Sequence, residues 1–136
     1  MRAPDYQALA EFRYQIRLFL HFSEQAARRA GLEPAQHQLL LAVKAHDSPP
    51  VVGELAERFE LRHHSVVELI DRLEAAGLVR RGRTRADRRQ VRVSLTRKGS
   101  TILRRLSVEH RNELESAGPE LLAALEAILA RSRHHT

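Results

Sequence analysis

Apolar residues recur at helical spacing near the start of the chain, at Leu9, Phe12, Ile16, Phe19 and Leu20, and predict one long helix over residues 5–30. Asp5 is placed to cap its start and Gly31 to stop it. A second helix is expected from near Pro34, a residue suited to a first helical turn. It runs through QHQLLLAVKAH to a break at Asp47-Ser48-Pro49-Pro50. A short helix from Val52 to about Phe59 and a longer one from about His63 to Ala76, ended by Gly77, follow. The period then changes. Residues 78–83 and 90–95 alternate or favour β-branched side chains around a polar turn, which predicts a basic two-stranded hairpin. Thr96 is placed to cap a further helix with Ile102, Leu103, Leu106, Leu114 and Ala117 as its apolar row. Gly118-Pro119 is expected to separate it from a last helix carrying Leu121, Leu122, Leu125, Ile128 and Leu129.

The expected fold class is therefore mainly α with a small two-stranded β wing, in one domain over residues 1–136. A central module, 33–96, is flanked by helical regions at 5–31 and 97–133. Five of the six aromatic residues (Tyr6, Phe12, Tyr14, Phe19 and Phe22) fall in the first helix. That helix should be about 39 Å long, whereas a compact chain of this size has a radius of gyration of only about 14 Å. One chain can hardly cover it, so a second copy is the expected partner.

Composition narrows the chemistry. The chain has 23 Lys and Arg against 17 Asp and Glu, a net charge of +6 with His neutral. Residues 80–98 (RRGRTRADRRQVRVSLTRK) hold nine of the cations and a single acid, Asp87, so this stretch alone carries +8 and the remaining residues sum to −2. A basic run by itself is commonly just a solvated face; its neighbours decide otherwise here. The absence of cysteine removes thiolate metal sites, cysteine nucleophiles and thiol switches. The eight histidines are scattered, and only His21 with Glu24 has local ligand spacing, so neither a metal nor another cofactor is expected. No phosphate-cradling glycine loop, HExxH, GxSxG or paired-carboxylate signature points to an enzyme. No stretch approaches a membrane span and the opening residues lack a signal-peptide layout, so a cytoplasmic protein without membrane partners is expected.

Residues 54–73, ELAERFELRHHSVVELIDRL, form two helices joined by a tight turn, sharing Leu55, Ala56, Leu61, Val66, Leu69, Ile70 and Leu73 as their apolar set. This is the helix-turn-helix pattern, whose second helix lies in a DNA major groove. Taken alone, the stretch reads equally well as an ordinary helical hairpin. The basic hairpin directly after it breaks the tie in favour of a winged helix, whose wing can place Arg in a minor groove. The alternatives are RNA binding and a non-DNA interaction module. Single-strand binders need aromatic platforms, and residues 80–98 contain no Phe, Tyr or Trp; a scaffold gives no reason for the concentrated arginine.

With 66, 69, 70 and 73 facing the core, His64, Ser65, Val67, Glu68, Asp71 and Arg72 lie on or near the outer face of the second helix. Ser65 can bond a base or phosphate, Val67 can meet a thymine methyl, and His63 or His64 can donate to phosphate or base acceptors. Glu68 could accept from a cytosine amino group, but an i to i+4 pair with Arg72 is the favoured reading.

ELAERFELRHHSVVELIDRLEAAGLVRRGRTRADRRQVRVSLTRKG resembles the MarR family, the multiple antibiotic resistance regulators. The particular marks are Asp-Arg-Leu-Glu-x-x-Gly-Leu-Val at 71–79, Asp87-x-Arg89, and Leu95-Thr96-x-x-Gly99, and the helical layout on either side is similar too. The resemblance implies a homodimeric winged-helix transcription regulator, commonly a repressor, that binds a pseudo-palindromic double-stranded operator. It also implies dimerisation through the flanking helices and, often, DNA release on binding a small aromatic or phenolic acid. Carried over to this chain, it makes Arg89 the minor-groove residue and Asp87 the partner that aims it. Arg83, Arg85, Arg88 and Arg92 then contact phosphates or solvent. For an effector, Phe12, Arg13, Ile16, Arg17 and His37 would supply apolar walls and cationic groups; the competing reading makes the aromatics dimer core and the arginines surface or intersubunit pairs. Two departures stand out. Glu60 occupies a turn position where helix-turn-helix sequences commonly carry Gly, and Arg62 replaces a small hydroxyl cap. Because Glu is strained at positive φ, the turn is expected to use ordinary dihedrals.

Overall fold

The computed structural model describes residues 1–83 and 89–134. Its elements are α1 (Ala3–Arg29), α2 (Pro34–Ala45), α3 (Val52–Phe59), α4 (His63–Ala75), β1 (Val79–Gly82), β2 (Arg92–Leu95) and α5 (Arg97–His134). The chain divides into two compact units, Met1–Ala26 with Ser107–Thr136, and Ala27–Leu106.

In the first unit, the described part is helical and is tied across its two segments by polar pairs. Arg131 Nε donates to Asp5 Oδ1 at 2.7 Å, Gln15 Nε2 reaches Glu11 at 2.9 Å and Glu120 at 3.5 Å, and His110 Nε2 lies 2.8 Å from Ser23 Oγ. Phe19 and Phe22 meet the His110 ring edge-on, at centroid distances of 5.9 and 5.3 Å. Asp5 sits inside the first turn of α1, and its carboxylate reaches back to accept the Arg2 backbone N–H at 2.7 Å.

Gly118-Pro119 does not end a helix as expected: α5 runs through it without interruption, with Pro119 inside. Two local features explain this. Proline disfavours helical backbone in the preceding residue mainly through that residue's Cβ, and Gly118 has none. The carbonyl left without a donor belongs to exposed Glu115, where water can satisfy it.

The second unit is built on a core of Leu39, Leu40 and Val43 from α2, Leu55 from α3, Val66, Ile70 and Leu73 from α4, Val79 and Val93 from the hairpin, and Leu103 and Leu106 from α5, all buried. β1 and β2 pair antiparallel in the register Val79↔Leu95, Arg80↔Ser94, Arg81↔Val93, Gly82↔Arg92. Opposed residues share a face, so Val79, Arg81, Val93 and Leu95 turn one way and Arg80, Gly82, Arg92 and Ser94 the other. The sequence pattern missed a third strand-like contact: Val51 bridges Arg92, and the Val93 N–H donates to Pro50 O at 2.9 Å. The hairpin base is thereby stitched to the connection between α2 and α3.

α4 ends in a left-handed residue, Gly77 (φ 76°). Its N–H donates to Glu74 O at 2.9 Å and the Leu78 N–H to Leu73 O at 2.9 Å, a Schellman stop. The start of α5 then packs close to β1. Thr96 Oγ1 accepts the Gly99 N–H at 3.0 Å, the N-cap expected from sequence, and donates to Gly77 O at 2.6 Å. A Cβ on Gly99 would stand 2.0 Å from Leu78 O, so only glycine allows this approach.

Candidate nucleic-acid interface

The hinge between α3 and α4 corrects one sequence expectation. Glu60 adopts φ 54°, ψ 36°, the left-handed region that the turn was expected to avoid. Its N–H donates to Glu57 O at 3.2 Å and the Leu61 N–H to Ala56 O at 3.0 Å. The same Schellman hydrogen bonds that stop α4 stop α3, with glutamate where glycine is usual, and closing them carries Glu60 into a conformation costing a β-carbon residue about 1–2 kcal/mol. Arg62 precedes α4 in extended conformation and makes no side-chain cap, as its chemistry requires, since guanidinium has no acceptor.

α4 buries Val66, Ile70 and Leu73 and half-buries Leu69. Opposite that stripe, His63, His64, Glu68 and Arg72 are exposed, while Ser65 and Val67 are half-buried beside them. These residues share the side of the helix turned away from the core. Glu68 and Arg72 make no ion pair among the described residues, so the i to i+4 pairing expected of them is absent. The ion pairs that α4 does make lie one turn on. The acid that α4 uses for pairing is Asp71 together with Glu74, and their partner is Arg81 of β1.

Arg81 is the residue sequence reasoning missed. Its strand position places it on the same face as buried Val79 and Val93, so it reaches α4 rather than solvent. Arg81 Nη2 donates to Glu74 Oε1 at 2.9 Å and also bonds Asp71 Oδ1, while the Arg81 backbone N–H donates to Glu74 Oε2 at 3.2 Å. Hydrogen bonding to Arg81 holds the Glu74 carboxyl below the ordinary glutamate range, and the two carboxylates raise the Arg81 guanidinium above its ordinary value. Alternation in the β1 strand, read with the i, i+3 spacing of the two acids, was the available signal. Arg92, assigned to phosphate or solvent by the family pattern, donates from Nη1 to Pro49 O at 2.7 Å.

The hairpin arms present exposed Arg80, Arg83 and Arg89. Arg85, Asp87 and Arg88 lie outside the described residues, and so does the expected pairing of Asp87 with Arg89. Of the residues proposed for an effector, Phe12 and Ile16 are half-buried and Arg13 and Arg17 exposed on α1 of the first unit. His37 is buried on α2 of the second unit, its Nδ1 3.5 Å from Gln38 Nε2. Among the described residues no group of three or more His, Asp or Glu gathers as a metal site would require. No described helix is long and apolar enough to cross a membrane.

Comparison with known proteins matches residues 30–90 to the description "MarR family". The chain is 33% identical over 107 residues to the HTH-type transcriptional repressor MdtR of Bacillus subtilis (strain 168), a match covering 79% of this chain and 59% of MdtR. It thus spans about three fifths of the length of that relative. Among solved structures, the transcriptional repressor CouR bound to a 23-mer DNA duplex is 29% identical, with a TM-score of 0.67 over 89% of this chain and 87% of that one. AbsC, a MarR family transcriptional regulator from Streptomyces coelicolor, has the same fold at 23% identity, with a TM-score of 0.75 over 99% of this chain and 95% of that one.

Proposed function

We propose that the chain, whose residues 30–90 match the MarR family, is a member of that family and a cytoplasmic, double-stranded DNA-binding transcription regulator of repressor type, working as a homodimer on a pseudo-palindromic operator. The observation that carries this reading is the outward side of α4, with His63, His64, Glu68 and Arg72 exposed and Ser65 and Val67 half-buried beside them, on a helix fixed to an arginine-bearing hairpin by Asp71, Glu74 and Arg81. That side supplies short donors and an apolar contact for base edges, and the hairpin supplies cations for phosphate and minor groove. What the CouR structure holds, a DNA duplex, fits the same assignment. The dimer reading rests on the first unit, which leaves Tyr6, Leu9, Tyr14, Leu20, Leu122 and Leu129 between about two fifths and three fifths exposed. The effector reading, a small aromatic or phenolic acid, rests on Arg13 and Arg17 beside Phe12 and Ile16 on one helix, where cations flank apolar side chains.

Enrichment from a random duplex library tests the function. The expected product is an inverted repeat with half-site centres about 10 base pairs apart, one helical turn. Recovery of no shared sequence would reject the assignment.

A further inference from the structure

The outward face of the hairpin carries a feature that α4 does not use. Ser48, Pro49, Arg80, Arg81, Gly82, Arg83, Arg92 and Ser94 line a hollow of about 550 Å³, with no acid among these described residues. Two of these cations are differently placed from the rest. Arg92 bonds Pro49 O through Nη1, and Val51 pairs with its backbone, so its guanidinium is placed in the wall of the hollow. Arg80 is exposed directly across the ladder from Ser94. Arg81, by contrast, has its charge taken up by Asp71 and Glu74. Gly82 stands opposite Arg92, and a Cβ there would meet nothing within 4 Å, so the space in front of the Arg92 guanidinium is left open by the sequence.

We propose that this hollow is an anion site that takes a phosphate group between Arg80 and Arg92, with the Ser48 and Ser94 hydroxyls as further donors. Guanidinium forks and hydroxyls in one wall match tetrahedral phosphate oxygens, and a site without a carboxylate imposes no repulsion on the anion. The phosphate can come from a DNA backbone, which would extend the contact beyond α4 and rests on the DNA-binding reading, or from a free phosphorylated small molecule, which does not.

The test uses the full chain and inorganic phosphate, titrated against chloride at matched ionic strength and followed by backbone amide shifts. Saturable changes are expected at Ser48, Arg80, Gly82, Arg92 and Ser94. Arg80→Gln should weaken the phosphate response about tenfold, the effect of one charge-assisted hydrogen bond. Gly82→Val removes no charge and suits a strand, and it should weaken phosphate to a similar extent by filling the hollow; thermal melts verify that both variants remain folded. Changes spread evenly over exposed arginines such as Arg58 and Arg104, or a Gly82→Val response equal to wild type, would overturn the site. A second arm adds duplex DNA before phosphate. If the backbone is the source, the phosphate response disappears and Arg80→Gln lowers the salt slope of log affinity by about 0.9. If duplex binds and leaves the phosphate response intact, the source is a free anion and the site stands. If no duplex binds at all, the DNA-binding reading fails while the phosphate titration still decides the site.

Discussion

Arg81 on β1 and Glu74 on α4 are joined twice, by Nη2 to Oε1 at 2.9 Å and by the Arg81 backbone N–H to Oε2 at 3.2 Å. With Asp71 as a third point, the arm of the wing is tied to α4, the helix proposed to face DNA. Exposed ion pairs add little stability. In the proposed DNA-binding role the clamp fixes α4 and the wing at one spacing before binding, so the cost of ordering them is not met at the moment of contact. Arg81→Met should therefore melt close to wild type yet bind operator roughly three- to tenfold more weakly. Calorimetry and fluorescence anisotropy on the same preparation check both halves; unchanged affinity would leave the clamp without a functional part.

The clamp also has a pH signature. Arg81 depresses the Glu74 carboxyl, so the pair's contribution to stability is complete above the ordinary glutamate range and is lost as pH falls through the lowered value. The melting temperatures of wild type and Glu74→Gln should differ only slightly at neutral pH, and that small difference should vanish in acid. A difference that stays constant from neutral to acid would contradict the pairing.

Two substitutions at the α3–α4 hinge should stabilise the second unit. Glu60→Gly relieves a left-handed glutamate and, after the added chain entropy of glycine, should gain about 0.5–1 kcal/mol. Arg62→Ser supplies the missing N-cap of α4 and should gain about 1 kcal/mol. Chemical denaturation of each variant measures the gain, and a loss of stability in Glu60→Gly would mean that the glutamate side chain contributes more than its backbone strain costs.

Gly99→Ala should have the opposite effect. The new Cβ would meet the Leu78 backbone carbonyl at 2.0 Å, and no rotamer relieves it because Cβ is fixed by the main chain. A destabilisation of about 2 kcal/mol or more is expected, at the upper range of overpacking. An alanine variant with wild-type melting would show that α5 can move away from β1 without cost.

Much of the second unit was legible from the sequence because its boundaries are set locally. Pro34 begins α2, Gly77 stops α4, and Thr96 caps α5, each through a bond or a dihedral within a few residues. The two helical expectations that failed both treated a residue preference as a rule. Pro119 sits inside α5, where a preceding glycine and an exposed carbonyl make it tolerable, and Glu60 enters the left-handed region because the hydrogen bonds closing the turn outweigh its strain. The outward side of α4 was visible as the complement of its apolar stripe. The partners of Arg81 and Arg92 were not, since a guanidinium in a run of nine cations shows no preference until strand register and chain reversal bring Glu74 and Pro49 to it.

Arg89 in the wing and Arg105 on α5 form a control pair, since both are exposed cations and only Arg89 belongs to the hairpin. Arg89→Ala should weaken operator binding at least about tenfold, and Arg105→Ala should change it less than twofold. Equal affinities in a gel-shift titration would remove Arg89 from the interface.

The most direct measurement of the central claim is a titration of the enriched duplex against a shuffled duplex of the same composition, at physiological salt, with wild type and His64→Ala. Wild type should prefer the enriched sequence by about 10³-fold or more, and the substitution on α4 should reduce that preference. Equal affinity for the two duplexes, or no binding to either at low ionic strength, would contradict the claim.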